Sequence, residues 1–279
     1  MDLRGRTVIL TGATGGIGSA LCAELVAAGA RVVAVGRSPG AVGALAGRFP
    51  AGCVVPAIAD LASAQGRARL LEICGQLQPA PSLLVLGHAQ AGFGLFEDQT
   101  DQAIEVLLQT NVVGSVLLVR TLVPMLRQQP QAAVVVIGST FGSLAFPGFS
   151  VYSASKFALR GLTEALSREY ADTGLRFQYL APRATRTSFN SDAVDALNRE
   201  LKTSVDMPDE VARQLIAAIA RQRPRLQLGW SERLFARING LLPGLVDRSL
   251  RTQLPVIRRH ASHHHSFSQE MSSHEAHSP

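Results

Sequence analysis

Short β-branched runs alternate with longer stretches of helical periodicity through the first 230 residues. Residues 7–10, 31–35, 53–58, 83–86, 132–137, 177–180 and 226–228 read as strands, and residues 19–28, 102–126 and 153–170 as helices between them. Ser38 followed by Pro39 reads as an N-cap with proline at the first helical position. The strands are nearly all apolar instead of alternating, which is the pattern of a parallel sheet buried on both faces. A single-domain α/β fold follows: a Rossmann-like, doubly wound parallel sheet of about seven strands with helices on both faces. Pro56, inside the third run, predicts an irregular pairing there. No linker or internal repeat divides residues 1–230.

Beyond that domain the pattern changes. Residues 231–259 form a basic amphipathic extension. Leu234, Ile238, Leu241, Leu242 and Leu245 keep helical spacing, as do Val246, Leu250, Leu254 and Ile257, with Pro243 interrupting the run. Arg233, Arg237, Arg248, Arg251, Arg258 and Arg259 accompany them. Such a segment either packs over a pocket or subunit interface, or lies in a membrane surface; packing is preferred, because most amphipathic helices cover a core. Residues 260–279 hold six of the seven histidines among serine, glutamate and proline, and read as a disordered tail. The tract at residues 263–265 is assigned to that tail, and no metal site is expected.

Composition narrows the class. The chain has 279 residues, 47% of them hydrophobic, enough for one large core. The net charge of +6 is concentrated in residues 221–260, where nine arginines face only Glu232 and Asp247. A basic face across the whole domain is missing, which argues against nucleic acid as a partner. Cys22, Cys53 and Cys74 are odd in number and have no metal-like spacing, so no disulfide framework is expected. There is no signal-peptide pattern at the N-terminus and no run of ~18 apolar residues. The expected location is cytoplasmic, with peripheral membrane contact through the C-terminal helix as the alternative.

The candidate chemistry lies in three places. Thr11-Gly-Ala-Thr-Gly-Gly-Ile-Gly18 follows the first strand and opens the first helix, where glycines let a backbone approach a pyrophosphate at a helix N-terminus. The second strand ends Val35-Gly36-Arg37-Ser38 with no carboxylate for a ribose 2′-hydroxyl; Arg37 can instead fork onto a 2′-phosphate, helped by Ser38. Asp60 and Leu61, after the third strand, are placed to meet an adenine. Tyr152 and Lys156 are four apart on one helix, thirteen residues after Ser139. An ammonium beside a phenol is expected to lower the phenol's pKa and make it a proton donor or acceptor near neutral pH.

These motifs resemble the classical short-chain dehydrogenases/reductases over roughly residues 5–230. The matching elements are Gly12-x-x-x-Gly16-x-Gly18, Asn111 within Thr-Asn-Val-Val-Gly, Ser139, Tyr152-x-Ala-Ser-Lys156, and Pro182 followed by Thr187. The glycine stretch also fits the extended branch of the family, but chain length and the Tyr-x-Ala-Ser-Lys form favour the classical one. The resemblance implies four catalytic residues: Tyr152 as general acid or base, Lys156 lowering its pKa and holding the nicotinamide ribose, Ser139 bonding the substrate oxygen, and Asn111 holding a water that feeds protons to Lys156. It implies a cofactor site formed by Gly12, Thr14, Gly16, Ile17 and Gly18, by Arg37, Ser38, Asp60 and Leu61, and by Gly87, Tyr152, Lys156, Pro182 and Thr187. NADP(H) is the expected cofactor, a lipophilic carbonyl compound such as a 3-oxoacyl chain or steroid-like ketone the expected substrate, and a homodimer or homotetramer the expected assembly.

The sequence departs from the family at two places. The usual Asn-Asn-Ala-Gly is replaced by Leu86-Gly87-His88-Ala89-Gln90, where His88 is expected only to fill space. The usual Pro-Gly is Pro182-Arg183, and Arg183 is expected to have an ordinary φ near the cofactor or pocket mouth. The lost asparagines leave open a cofactor-binding sensor or scaffold without turnover, and the C-terminal helix leaves open a membrane-surface lipid reductase.

Overall fold

Seven parallel strands form one sheet in the order β3-β2-β1-β4-β5-β6-β7. They are β1 (Thr7–Thr11), β2 (Arg31–Gly36), β3 (Val54–Ile58), β4 (Pro81–Leu86), β5 (Ala132–Ile137), β6 (Leu175–Ala181) and β7 (Arg225–Gln227). The computed structural model describes the backbone of residues 1–275 and the side chains of residues 1–262. The winding starts in the middle at β1, runs out to β3, then returns to β4 and continues to β7. The strand order therefore reverses between β1 and β4, and a crevice opens at their carboxyl ends.

Side chains alternate across each strand, so each strand feeds two cores. Val8 and Leu10 of β1 enter one core and Ile9 the other. The first core takes Leu21 and Leu25 of α1 (Gly16–Ala27), Val42 of α2 (Pro39–Ala46), and Val211 and Leu215 of α8 (Pro208–Ala220). The second takes Leu70 of α3 (Ala64–Gly75), Leu118, Leu122 and Leu126 of α5 (Ser115–Leu126), and Leu159 of α6 (Ser150–Glu169). Cys22 and Cys74 sit in these cores, where burial pushes their thiols up to about 11 and about 12, well away from reactive thiolates.

Three expectations need correction. Pro56 does not disturb β3: the register with β2 continues past it, with Pro56 opposite Ala34. The strand lies at the sheet edge, where a missing N–H need not remove a ladder bond. The run from α4 (Asp101–Leu108) into α5 is long and apolar enough to span a membrane, with a window of mean hydropathy 1.7. Its apolar residues are explained in part by the sheet, which Leu118, Leu122 and Leu126 cover. Finally, the tail assigned to disorder from His260 is helical: α9 (Trp230–Leu241) is followed by α10, which runs from Pro243 to Glu275. Val246, Ile257 and Ala261 bury its inner side, and Glu200 at the end of α7 (Asp192–Glu200) pairs with Arg259 and, at 2.8 Å, with His260. The side chains of residues 263–265, and residues 276–279 altogether, lie outside the described part of the chain.

Packing leaves no room for a side chain at the β1–α1 turn. A Cβ on Gly18 would lie 2.0 Å from the Gly12 carbonyl oxygen. Gly18→Ala is therefore expected to cost about 2 kcal/mol or more and lower the thermal midpoint by several degrees. Gly43→Ala, in α2 with nothing within 4 Å of the new carbon, is expected to be neutral or stabilising. Thermal melts of the two variants, followed by circular dichroism, measure the contrast.

Candidate active site

The crevice at the ends of β1 and β4 is a cleft of about 890 Å³. Gly12, Thr14, Arg37, Asp60, Leu61 and Gly87 line it, joined by His88, Gln90 and Phe189. Gly12 has φ +65°, and a Cβ there would lie 2.7 Å from the His88 nitrogen and 2.8 Å from the Gly87 carbonyl. A Cβ on Gly87 would in turn lie 2.8 Å from the Thr11 carbonyl oxygen. Two backbones press together here, and only glycine fits between them. Gly16 meets the loop after β6 in the same way, its would-be Cβ 2.4 Å from Cγ2 of Thr187. Ile17 packs half-buried against the first core and anchors the helix start. The N-cap of α1, Gly15, has no side-chain cap, so no side chain of its own covers the helix's first N–H groups.

The end of β2 presents Arg37, exposed and without a carboxylate partner among the described residues. Ser38 caps α2, accepting a hydrogen bond from the Ala41 N–H at 3.3 Å. Asp60 turns the chain after β3; its Oδ1 accepts from the Ala62 N–H at 3.1 Å, and Leu61 beside it is buried. The Pro182 carbonyl accepts from the Thr140 N–H at 3.2 Å, which ties the end of β6 to the loop after β5.

That loop carries Ser139, whose Oγ accepts from the Phe141 N–H at 3.1 Å. Across from it, α6 presents Tyr152 and, one turn on, Lys156. The Lys156 ammonium is buried, donates to the Ile137 carbonyl at 3.2 Å, and lies 5.6 Å from the centroid of the Tyr152 ring. Asn111 sits in a π-helical stretch, Gln109–Gly114, between α4 and α5, and is fully buried. Its Oδ1 accepts from the Gln90 N–H at 2.6 Å; its Nδ2 donates to the Gln90 carbonyl at 3.0 Å and to Ser155 Oγ at 3.1 Å. Asn111 therefore clamps the β4 exit loop to α6. The four residues that the Tyr-x-x-x-Lys reading joined are brought to one place.

The electrostatics differ from expectation. Burial pushes the Tyr152 phenol well above its ordinary value, opposed in part by hydrogen bonding with the Ser139 side chain. Lys156 does not reverse this. Helical spacing stacks the two side chains, but the ammonium gives its hydrogen bond to the Ile137 carbonyl and meets Tyr152 over the ring. Burial lowers Lys156 itself to about 8.

His88 does more than fill space. Its Nδ1 lies 2.7 Å from Thr11 Oγ1 and its Nε2 3.3 Å from Ser115 Oγ, so the ring bridges β1, the β4 exit and α5. Burial, with the nearby Lys156 charge, lowers it to about 4 and keeps it neutral. Arg183 has an ordinary φ, since Lys202 and Gln222 are the non-glycine residues with positive φ among those described. It is locked to Asp206 by bonds of 2.9 and 2.6 Å and lies 3.7 Å from Glu232 of α9.

Sequence reasoning missed Tyr179. Its hydroxyl accepts from the Ser139 N–H at 3.4 Å and donates to the Lys156 carbonyl at 3.3 Å, supporting both from behind. In a strand that reads as core, nothing local marked it. Ser155 stands in the motif without a role of its own, and Thr11 reads in the sequence only as the first residue of the glycine-rich stretch. On the open side, Tyr152 is ringed by Phe141, Phe149 and Phe189, with centroids at 6.4, 6.4 and 6.1 Å. Phe93 packs against Phe149 at a tilt, with centroids 4.8 Å apart, extending an apolar wall. Gly148, with φ +80°, leaves room for the Phe93 ring and for Ile257 of α10.

The chain belongs to the short chain dehydrogenase family, whose model matches residues 6–198. It is 32% identical over 193 residues to Dehydrogenase/reductase SDR family member 4 of Homo sapiens, covering 67% of this chain and 69% of that protein. A short-chain dehydrogenase from Sphingobium yanoikuyae, solved with NADPH, superposes with a TM-score of 0.72 at 26% identity, covering 87% of this chain and 95% of that one. One from Burkholderia phymatum, solved with NAD, has the same fold: TM-score 0.76 at 20% identity, covering 88% and 96%.

The His88 bridge gives a pH prediction. The folded ring stays neutral down to about 4, while the unfolded chain takes up its proton near 6.5. Between those values the unfolded state binds more protons, so stability falls as pH drops through the window. His88→Asn is expected to flatten this acid limb. Urea unfolding at pH 7 and at the acid end of the window, for both proteins, reads the difference; equal losses in both would refute it.

Proposed function

We propose that the protein is an NADP(H)-dependent reductase that converts a lipophilic ketone or aldehyde to an alcohol, acting in the cytoplasm as a homo-oligomer. The observation that carries this reading is the meeting of Tyr152, Ser139 and Lys156 at the edge of an aromatic wall. The cradle fits a dinucleotide, because Gly12, Thr14 and Gly15 line the cleft at the uncapped start of α1, with Arg37 and Asp60 further along it. Gly12, Gly16 and Gly18 with the start of α1 would hold the pyrophosphate. Arg37 and Ser38 would hold the 2′-phosphate, Asp60 and Leu61 the adenine, and Lys156 the nicotinamide ribose. When bound, NADPH supplies the hydride.

The chain's own groups handle the proton. The Tyr152 phenol, its pKa raised by burial, carries at neutral pH the proton that it would give to the carbonyl oxygen as that oxygen gains charge. The Ser139 hydroxyl lies where it can hydrogen-bond the same oxygen. Lys156 uses one of its three N–H groups on Ile137, leaving others for ribose hydroxyls and for returning a proton toward Tyr152. Phe141, Phe149 and Phe189 exclude water and favour an apolar substrate.

Solved relatives hold NADPH in one case and NAD in another, so the choice of NADP(H) rests on Arg37 and the missing carboxylate after β2. The sensor alternative drew on the lost Asn-Asn-Ala-Gly. The bridge from His88 to Thr11 and Ser115 supplies a tie at that loop, which supports the reductase over that alternative.

NADPH oxidation against a panel from small aldehydes to long-chain 3-oxoacyl thioesters and bulky ketones tests the reading. Tyr152→Phe is expected to lower kcat by about 10²–10⁴-fold with NADPH affinity little changed. Turnover that survives the substitution would sink the proposed chemistry. Arg37→Asp is expected to reverse the cofactor preference, shifting the kcat/KM ratio of NADPH to NADH by about a hundredfold, since a charge-assisted fork is replaced by repulsion. An unchanged ratio would remove Arg37 from the cofactor site.

A further inference from the structure

Helix α9 is amphipathic the wrong way round for a helix that covers a core. Trp230, Leu234 and Leu241, at i, i+4 and i+11, fall on one face, and that face is turned to solvent. Trp230 is 74% exposed and Leu241 80%. Leu242 and Leu245 continue the apolar surface through the turn into α10 and are also exposed. The polar residues face inward: Glu232 lies 3.7 Å from Arg183, and Asn239 donates to the Ser143 carbonyl at 3.1 Å. The outward stripe is basic as well as apolar. Arg237 lies on it and Arg233 at its side, and Arg248 and Arg251 of α10 are exposed nearby in the chain.

We propose that this face of α9 and the α9–α10 turn is a docking surface for an anionic lipid bilayer. An exposed tryptophan, four leucines and interspersed arginines match the interfacial zone, where apolar side chains enter the acyl boundary and guanidinium groups meet lipid phosphates. Charge selects this occupant over a second copy of the chain. Residues 230–259 carry six arginines against Glu232 and Asp247, so a two-fold contact would set a cationic surface against itself. The place in the fold fits a lipid-dissolved substrate. The inner side of α9 touches Ser143, four residues past Ser139, and Arg183, next to Pro182; α10 reaches the aromatic wall through Ile257. The substrate-delivery part of the proposal rests on the carbonyl-reductase reading; the docking itself does not.

Trp230 is the chain's single tryptophan, so its fluorescence reports the contact directly. The full chain is mixed with vesicles of phosphatidylcholine alone, or of phosphatidylcholine with phosphatidylglycerol, and followed by emission and co-sedimentation. The expected result is a blue shift and sedimentation with the anionic vesicles, both weakened by salt. Leu234→Ser/Leu241→Ser/Leu242→Ser is expected to lower partition by about a hundredfold. Arg233→Glu/Arg237→Glu is expected to abolish the preference for anionic lipid. NADPH turnover on a water-soluble aldehyde should be unchanged in both variants. Absence of a shift and of sedimentation in the parent chain would overturn the proposal. So would an assembly, seen by size exclusion, that the triple serine variant breaks, since that would give the face to a second copy. Partition without any carbonyl turnover would support docking and strike only the reductase reading.

Discussion

A buried ammonium sets the terms of this site. Lys156 is almost wholly removed from water, and its charge is met by one carbonyl, that of Ile137. Leaving a cation so thinly satisfied is costly, and the fall of its pKa to about 8 expresses that cost. The surroundings are built to tolerate it. The neighbouring His88 is neutral, in part because Lys156 disfavours a second positive charge there. A free electron-rich partner, such as ribose hydroxyls in the cleft, would relieve the same penalty.

Holding that ammonium in place takes long-range contacts from four elements. Tyr179 of β6 bonds the backbone of both Ser139 and Lys156, fixing the β5 exit relative to α6. A Cβ at Gly142 would lie 2.0 Å from the Tyr179 hydroxyl, so the loop must be glycine where it crosses that support. Asn111 bonds Gln90 and Ser155, and Ser155 in turn donates to the Tyr152 carbonyl at 2.7 Å. The π-helical stretch is what turns Asn111 inward from an otherwise regular helix. Tyr152 and Lys156 thus occupy a helix fixed at both its near turn and its far side, which is the preorganisation that the proposed proton donor needs.

What could be read in the sequence was what is encoded locally. Strand runs such as residues 132–137 and 31–35 are continuous apolar segments, and the glycines at 12, 16 and 18 mark a turn that sterics then require. Tyr152 and Lys156 are four apart on one helix, so their proximity needed no fold. What escaped depends on partners distant in sequence. His88 finds Thr11 77 residues away, and Tyr179 finds Ser139 40 residues away. Arg183 finds Asp206, and a lone arginine in the sequence gives no sign of that. Direction along a helix was equally invisible: spacing puts Lys156 beside Tyr152 but does not say that its nitrogen bends to Ile137. Pro56 looked like a break because the sequence does not reveal which strand lies at the edge.

The C-terminal extension shows why periodicity alone leaves function open. The same leucine-and-arginine pattern runs through α9 and α10, yet the two helices use it oppositely. In α10, Val246, Ile257 and Ala261 turn inward and Glu200 takes up Arg259 and His260, so the helix is fastened to the end of α7. In α9, a short inward hydrogen bond from Asn239 and the approach of Glu232 to Arg183 spend the polar face on the protein and leave the apolar one outside. An apolar stripe is ordinarily expelled from water, so a helix that holds one there needs a compensating surface. The orientation is set by Glu232 and Asn239, two polar residues whose partners appear only in three dimensions.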